Sequence, residues 1–383
     1  MGVAVLPYLL QVAEPMDEQD LLPLMSLHSL EVLQIWSGSK TGLFCRPLLS
    51  AELAGSLTAL TSLSMSGCHV SCLEHVGSCT ALRVLELYCP DGSQEELSES
   101  GWAAVGELTG LVDLQLYSAE MMTPTPECCA AVGKLTRLQS FGAEAWSVDM
   151  LLALAPCTQL TQLAGGWQHG NKDVAHVALP SVVELADAHG CPPFAALPNL
   201  VTVRQSSPLA PDAFANMGKH CSQLRQLIAW DSARLPMTSL PSAETSRVHI
   251  STVKALSALT CLTRLDFMVG APGEVCALVD VVADLLPHGF QHLEVCVLGD
   301  SHVPPGMLML LAKLHGLPEL VLELNPSTAD EVVLDAWPFL SALSGVRHVK
   351  ICCPSHHADE FALVYNQICE VGISCPDRLR IVS

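Results

Sequence analysis

The chain has 383 residues, half of them hydrophobic and only 15% charged, so apolar material for a core is ample. Acids outnumber bases 39 to 18, and the formal charge of -21 argues against nucleic acid or an anionic membrane as a partner and favours a basic protein where charge matters. The most apolar segment, Val275 to Leu286, is cut by Asp280 and Asp284 and is too short to span a bilayer.

The N-terminal run MGVAVLPYLLQVA has no basic residue before its apolar stretch and is followed by the acidic Asp17 to Asp20, a poor signal peptide. Leu6 stands where myristoylation needs Ser or Thr. Without a leader, the 17 cysteines read as reduced thiols in a cytoplasmic protein, and residues 1–24 as an N-terminal cap.

From residue 25 to 355 the sequence repeats itself. The units are LHSLEVLQI (27–35), LTALTSLSM (57–65), CTALRVLEL (79–87), LTGLVDLQL (108–116), LTRLQSFGA (135–143), CTQLTQLAG (157–165) and LPSVVELAD (179–187). They continue as LPNLVTVRQ (197–205), CSQLRQLIA (221–229), LTCLTRLDF (259–267), FQHLEVCVL (290–298), LHGLPELVL (314–322) and LSGVRHVKI (343–351). From Leu33 to Val349 these thirteen units advance 316 residues in twelve steps, about 26 per step. Within a unit the last two apolar positions, such as Leu114 and Leu116, are two apart and point the same way from a short strand. The earlier ones, such as Leu108 and Leu111, are three apart and belong to a helix end and its turn. Helices are predicted between the units over Pro126–Leu138, Pro211–Leu224, Val275–Leu286, Met307–Leu317 and Leu334–Leu343. Steps range from 18 to 38 residues, and the units at 179–205 are the least regular. Residues 356–383 read as a further helix and strand, or a cap.

These units resemble the leucine-rich-repeat family, in its longer-unit, ribonuclease-inhibitor-like form. The resemblance implies an α/β fold: a right-handed solenoid, or horseshoe, with a parallel sheet on the concave face and helices on the convex face. The family's Asn or Cys three residues past the strand is matched here by Cys68 and Asn325, but not after Tyr88 or Tyr117.

In such a stack, residues at the strand's end line the inner face. Trp36, Tyr88, Tyr117 and Trp230 occupy the first position after the apolar pair, Trp167 lies one further on and Trp146 two further on. Trp and Tyr carry large contact area at small entropic cost, so these rings are expected to form a binding ridge rather than only to close loops. Arg83 and Arg225 join them, within a mixed set of facing charges that includes Asp113, Arg264, Asp266, Glu294, Glu319 and Lys350. The segments Asp91–Ser100 and Asp231–Ser251 interrupt the rhythm beside Tyr88 and Trp230 and read as loops.

No P-loop, HExxH or G-x-S-x-G motif is present, and no nucleophile–base pair stands out, so no catalysis and no cofactor are expected. The run CCPSHHADE from Cys352 to Glu360 holds zinc-ligand residue types but no C-x-x-C spacing; it reads as free thiols in a solvated loop, and no metal site is expected. Cys79, Cys157 and Cys221 take the place of Leu108 and read as small buried hydrophobes. The leading expectation is a non-enzymatic scaffold that binds another protein on its concave face. By resemblance, inhibition of a basic enzyme, substrate recognition in a ubiquitin ligase and activation of a GTPase are the alternatives. An end strand could support weak self-association.

Overall fold

A computed structural model describes residues 9–12, 26–36, 50–66, 70–88, 98–117, 125–167, 177–189, 193–205, 211–228, 256, 259–269, 272–297, 312–324, 346–352 and 378–382. The chain divides into two compact units, Met1–Ala186 and Asp187–Ser383. Among the described residues there are fifteen strands, and within each unit they stand in chain order with every paired neighbour parallel.

The first unit holds β1 (Leu9–Val12), β2 (Val32–Trp36), β3 (Ser62–Ser66), β4 (Val84–Tyr88), β5 (Asp113–Tyr117), β6 (Ser140–Trp146) and β7 (Gln162–Trp167), and β8 (Glu184–His189) begins in it. The second holds β9 (Thr202–Arg204), β10 (Gln226–Ile228), β11 (Arg264–Val269), β12 (His292–Val297), β13 (Glu319–Leu324), β14 (His348–Cys352) and β15 (Arg378–Val382). The thirteen sequence units fall on β2 to β14; β1 and β15 add a strand from each flanking segment. This is a leucine-rich-repeat fold of the α/β class, with a parallel sheet backed by helices.

The three-then-two spacing has a direct cause. In most units the fourth residue donates its N–H to the carbonyl of the first, as Leu111 does to Leu108 at 2.8 Å and Leu138 to Leu135 at 3.1 Å, which closes a turn and turns both side chains inward. A strand follows in which alternate residues are buried: Leu85 and Leu87 in β4 are 0% and 2% exposed, while Val84, Glu86 and Tyr88 face the other way. Consecutive units are tied by a shared acceptor. Val112 and Asp113 both donate to Arg83 O at 2.8 and 3.0 Å, Gln139 and Ser140 to Val112 O at 2.8 and 3.1 Å, and Thr263 and Arg264 to Arg225 O at 2.8 and 3.0 Å. The backbone of one unit thereby sets the register of the next.

Helices return the chain behind the sheet: α1 (Ala51–Ser56), α2 (Glu99–Gly106), α3 (Pro126–Val132), α4 (Val148–Leu154), α5 (Pro211–His220) and α6 (Pro272–Leu285). Four start on a hydroxyl cap, in which Ser50, Ser98, Thr125 and Ser147 accept from the N–H three residues on. Their inner faces, such as Trp102 and Val105 of α2, are buried. The helices expected over 126–138, 211–224 and 275–286 correspond to α3, α5 and α6; those over 307–317 and 334–343 lie largely or wholly outside the described residues. Among the described residues no helix is long and apolar enough to cross a membrane.

One register expectation is corrected. The unit at 290–298 was aligned so that Cys296 and Leu298 formed the inward pair. In β12 that pair is Leu293 and Val295, at 0% and 4% exposure, with Phe290 buried ahead of them. His292 then pairs across the sheet with Arg264 and Glu319 instead of sitting in the turn.

The cysteines at the head of three units are buried as expected, and they also bridge. The thiols of Cys79, Cys157 and Cys221 donate to the carbonyls of Ala54 at 3.5 Å, Leu135 at 3.4 Å and Leu197 at 3.8 Å, in the preceding unit or the helix that leads into it. Burial pushes these thiols up to about 11, 11 and 12. Cys68 and Asn325, where the family's bridging residue was expected, lie outside the described residues.

Candidate binding surface

Among the described residues the strands present alternate side chains on the face that the helices leave open. In the first unit the first of these positions holds Ser62, Val84, Asp113 and Ser140 in four adjacent strands, and the next holds Ser64, Glu86, Gln115 and Gly142. Apart from Val84 these are small or polar groups. At the strand ends stand the aromatic residues.

Tyr88 and Tyr117 occupy equivalent places in β4 and β5, and their rings stack with centroids 5.1 Å apart and planes 14° from parallel. Tyr88 is 39% exposed, an unusual exposure for a large ring in this unit. Tyr117 is positioned from below: its Oη donates to Gln115 Oε1 at 3.0 Å, and Gln115 Nε2 donates to Asp113 Oδ1 and Ser140 Oγ, both at 2.7 Å. Gly142 makes room for this network, because a Cβ there would stand 1.7 Å from Gln115 Oε1 and 3.0 Å from Tyr117 Oη. The stacked pair is thus held by a polar lattice spanning two strands.

The other expected site residues are distributed differently. Trp36 and Trp167 end β2 and β7, but their side chains lie outside the described residues, as does Trp230 altogether. Arg83 is exposed and donates from Nη1 to Gly110 O at 2.8 Å, pinning the turn of the next unit. Arg225 is exposed, and its carbonyl joins the backbone ladder described above. Trp146, expected on the ridge, is instead buried at 1% exposure. The cause is a one-residue bulge: Gly142 pairs with Ala164 but Ala145 pairs with Gly166, so the faces exchange after the bulge and Trp146 turns inward. Gly165, at φ +122, faces the bulge; a Cβ there would lie 3.2 Å from Trp146 Nε1 and 1.6 Å from Ala143 O. The loop segments 91–97 and 231–250 and most of the CCPSHHADE run lie outside the described residues.

The open face of the second unit is charged. Arg264, His292, Glu319 and His348 stand side by side at the first position of β11 to β14, and Asp266, Glu294, Val321 and Lys350 at the next. Arg264 grips Asp266 through Nε at 3.0 Å to both oxygens and through Nη2 at 2.8 Å to Oδ2, and Nη2 also lies 3.5 Å from Glu294 Oε2. His292 Nδ1 is 2.9 Å from Glu319 Oε2, while Nε2 lies 3.6 Å from Asp266 Oδ1 and 3.5 Å from Glu294 Oε2.

Burial raises the Asp266 carboxyl above its usual range, although Arg264 pulls the other way; the hydrogen bond that Arg264 donates to Asp266 raises the guanidinium in turn. Burial alone would depress His292, but the carboxylates of Glu294 and Glu319 outweigh it and hold the imidazole above its ordinary value. The proximity of His292 holds Glu294 below the ordinary carboxylate range. Asp266, His292 and Glu294 each place one ligand-capable atom within 4.8 Å of the other two. Both carboxylates are among the facing charges expected from sequence; His292 is not, because the pattern of 290–298 places it in the turn.

No protein-family model matches the sequence, and no curated protein matches it. Among solved structures the chain is similar to an internalin from Listeria monocytogenes, at 14% identity and a TM-score of 0.43, over 79% of this chain and 78% of that one.

Proposed function

We propose that the protein is a non-enzymatic scaffold that binds a partner protein on the open face of its sheet. The stacked Tyr88 and Tyr117 carry this reading. A rigid aromatic pair, partly exposed and buttressed by hydrogen bonds from below, offers contact area with little entropy left to lose on binding. Trp36, Trp167, Trp230, Arg83 and Arg225 extend the surface in this proposal. The returns of six to fourteen residues in α1 to α6 support the longer-unit, ribonuclease-inhibitor-like type of repeat. We take residues 1–24 as an N-terminal cap and 356–383 as a further helix-strand unit or cap on a repeat array from 25 to 355, the protein as cytoplasmic, and neither nucleic acid nor membrane as its target, in line with the net charge of -21.

The test is affinity capture from a native lysate with the wild-type chain and with the Tyr88→Ala, Tyr117→Ala double variant, followed by measured affinity for the protein captured. A central aromatic pair is worth at least about 2 kcal/mol, so binding should weaken roughly thirtyfold. Equal affinity of the two proteins would remove the tyrosines from the interface and with them the basis of this reading. Capture of a basic hydrolase whose activity is blocked would select the inhibitor form of the same proposal.

A further inference from the structure

We propose that Asp266, His292 and Glu294 form a zinc site on the open face of the second unit, with Glu319 and Arg264 as its outer support. The three residues come from two adjacent strands, β11 and β12, and the strand ladder fixes their register. Asp266 is 5% exposed, so one ligand is already withdrawn from water.

The imidazole is the informative group. A carboxylate can only accept a hydrogen bond, so the 2.9 Å contact to Glu319 Oε2 places a proton on Nδ1. Nε2 is shut off from solvent and has no hydrogen-bond partner among the described residues. In the neutral ring its lone pair looks toward two carboxylate oxygens, Asp266 Oδ1 at 3.6 Å and Glu294 Oε2 at 3.5 Å, an arrangement that a cation held between the three atoms satisfies. A proton on Nε2 is the competing occupant of this place, favoured by the same carboxylates, although both distances are long for an N–H···O bond. They do match the edge of a coordination tetrahedron: ligands about 2.0–2.2 Å from zinc stand roughly 3.3–3.6 Å from one another.

The surroundings agree. A histidine ligand characteristically donates its other N–H to a carboxylate, which fixes the tautomer and strengthens the ligand, and Glu319 stands in that place. Arg264 holds Asp266 through both oxygens and so sets the carboxylate's orientation. With neutral His292, the three carboxylates and one guanidinium sum to two negative charges, which a dication cancels. One nitrogen and two carboxylate oxygens favour zinc over magnesium or calcium, which take oxygen alone. Three protein ligands leave the fourth position open to water or to a group on a docked molecule.

The experiment is calorimetric titration of zinc into the chelator-treated full-length protein, repeated with cobalt(II) and read by visible absorption. The wild type should bind one equivalent that His292→Ala and Glu294→Gln both lose, while Glu319→Gln keeps it at about 10- to 100-fold lower affinity. Circular dichroism in chelator shows whether each variant is folded; Glu294→Gln, isosteric and on the open face, carries the test if His292→Ala is not. The cobalt form should show tetrahedral ligand-field bands without near-ultraviolet charge transfer from thiolate. Binding that is absent in the wild type, unchanged in the variants, or marked by thiolate bands would assign any zinc to adventitious sites among the other histidines and the cysteines, and would overturn the proposal.

Discussion

Alkaline pH is a direct test of the cysteine bridges. Cys79 is 0% exposed, its thiol donates to Ala54 O at 3.5 Å, and burial lifts its pKa from 9.0 to about 11. The folded chain therefore retains a proton that the unfolded chain releases. The stability linked to this group is whole below pH 9 and is lost as the pH rises through about 11. At about 1.36 kcal/mol per pKa unit the full effect is about 3 kcal/mol, of which about 2 kcal/mol is gone by pH 11. Urea unfolding of the wild type and of Cys79→Ala, followed by tryptophan fluorescence at a series of pH values, isolates the term, because lysines and tyrosines titrate alike in both proteins. The stability difference between the two should shift against the wild type by about 2 kcal/mol between pH 8 and pH 11. A difference that does not change with pH would mean that the thiol is not sealed in the folded state. Cys221→Ala should behave in the same way with a window that extends to about 12.

Three substitutions probe the frame and the surface. Gly165→Ala combines a positive φ with a Cβ 1.6 Å from Ala143 O, so calorimetry should show a loss of roughly 3 kcal/mol or more; a melting temperature near that of the wild type would refute the tight approach of β6 and β7. Gly142→Ala should displace Gln115 and release Tyr117, costing about 1–3 kcal/mol and weakening the near-ultraviolet tyrosine dichroism of the stacked pair; an unchanged spectrum would show that the network does not position the rings. Thr125→Ala removes the acceptor for Cys128 N at 3.2 Å and should cost about 1 kcal/mol in denaturant titration, against little effect from Thr125→Ser.

The repeat was legible because its two periods have separate causes. The three-residue step of Leu108 and Leu111 is a hydrogen-bonded turn, and the two-residue step of Leu114 and Leu116 is a strand. Either alone is common; their succession at intervals of about 26 residues is not. Stacking of Tyr88 on Tyr117 was also open to inference, since equivalent positions in adjacent units become neighbours in a parallel sheet. Trp146 was misplaced because position was counted along the chain, and a bulge adds one residue that the hydrophobic pattern of FGA is too weak to reveal. His292 was missed for a related reason. In FQHLEVCVL the apolar residues Val295, Cys296, Val297 and Leu298 run together, so two registers fit the pattern. Burial of Leu293 and Val295 chooses between them only once the neighbouring strands are in place.

The same construction explains why the two units carry different chemistry on one kind of frame. Backbone N–H and C=O groups and the inward apolar pair are committed to the stack, so exchanging them costs stability in every unit alike. The open-face positions bear no such duty, and each strand contributes only two or three of them. Chemistry therefore has to be assembled across strands, from residues about 25 positions apart in sequence that the ladder brings side by side. In the first unit, Gln115 joins Asp113, Ser140 and Tyr117 into a neutral lattice beneath an aromatic pair. In the second, Arg264, Asp266, His292, Glu294 and Glu319 form one ion-paired cluster in which a single imidazole nitrogen lacks a hydrogen bond. Both clusters depend on register, and a one-residue insertion in any of these strands would send the working side chains into the core and the core leucines into water. The repeat thus tolerates wide variation in the length of its returns, as its steps of 18 to 38 residues attest, but very little between the turn and the end of the strand.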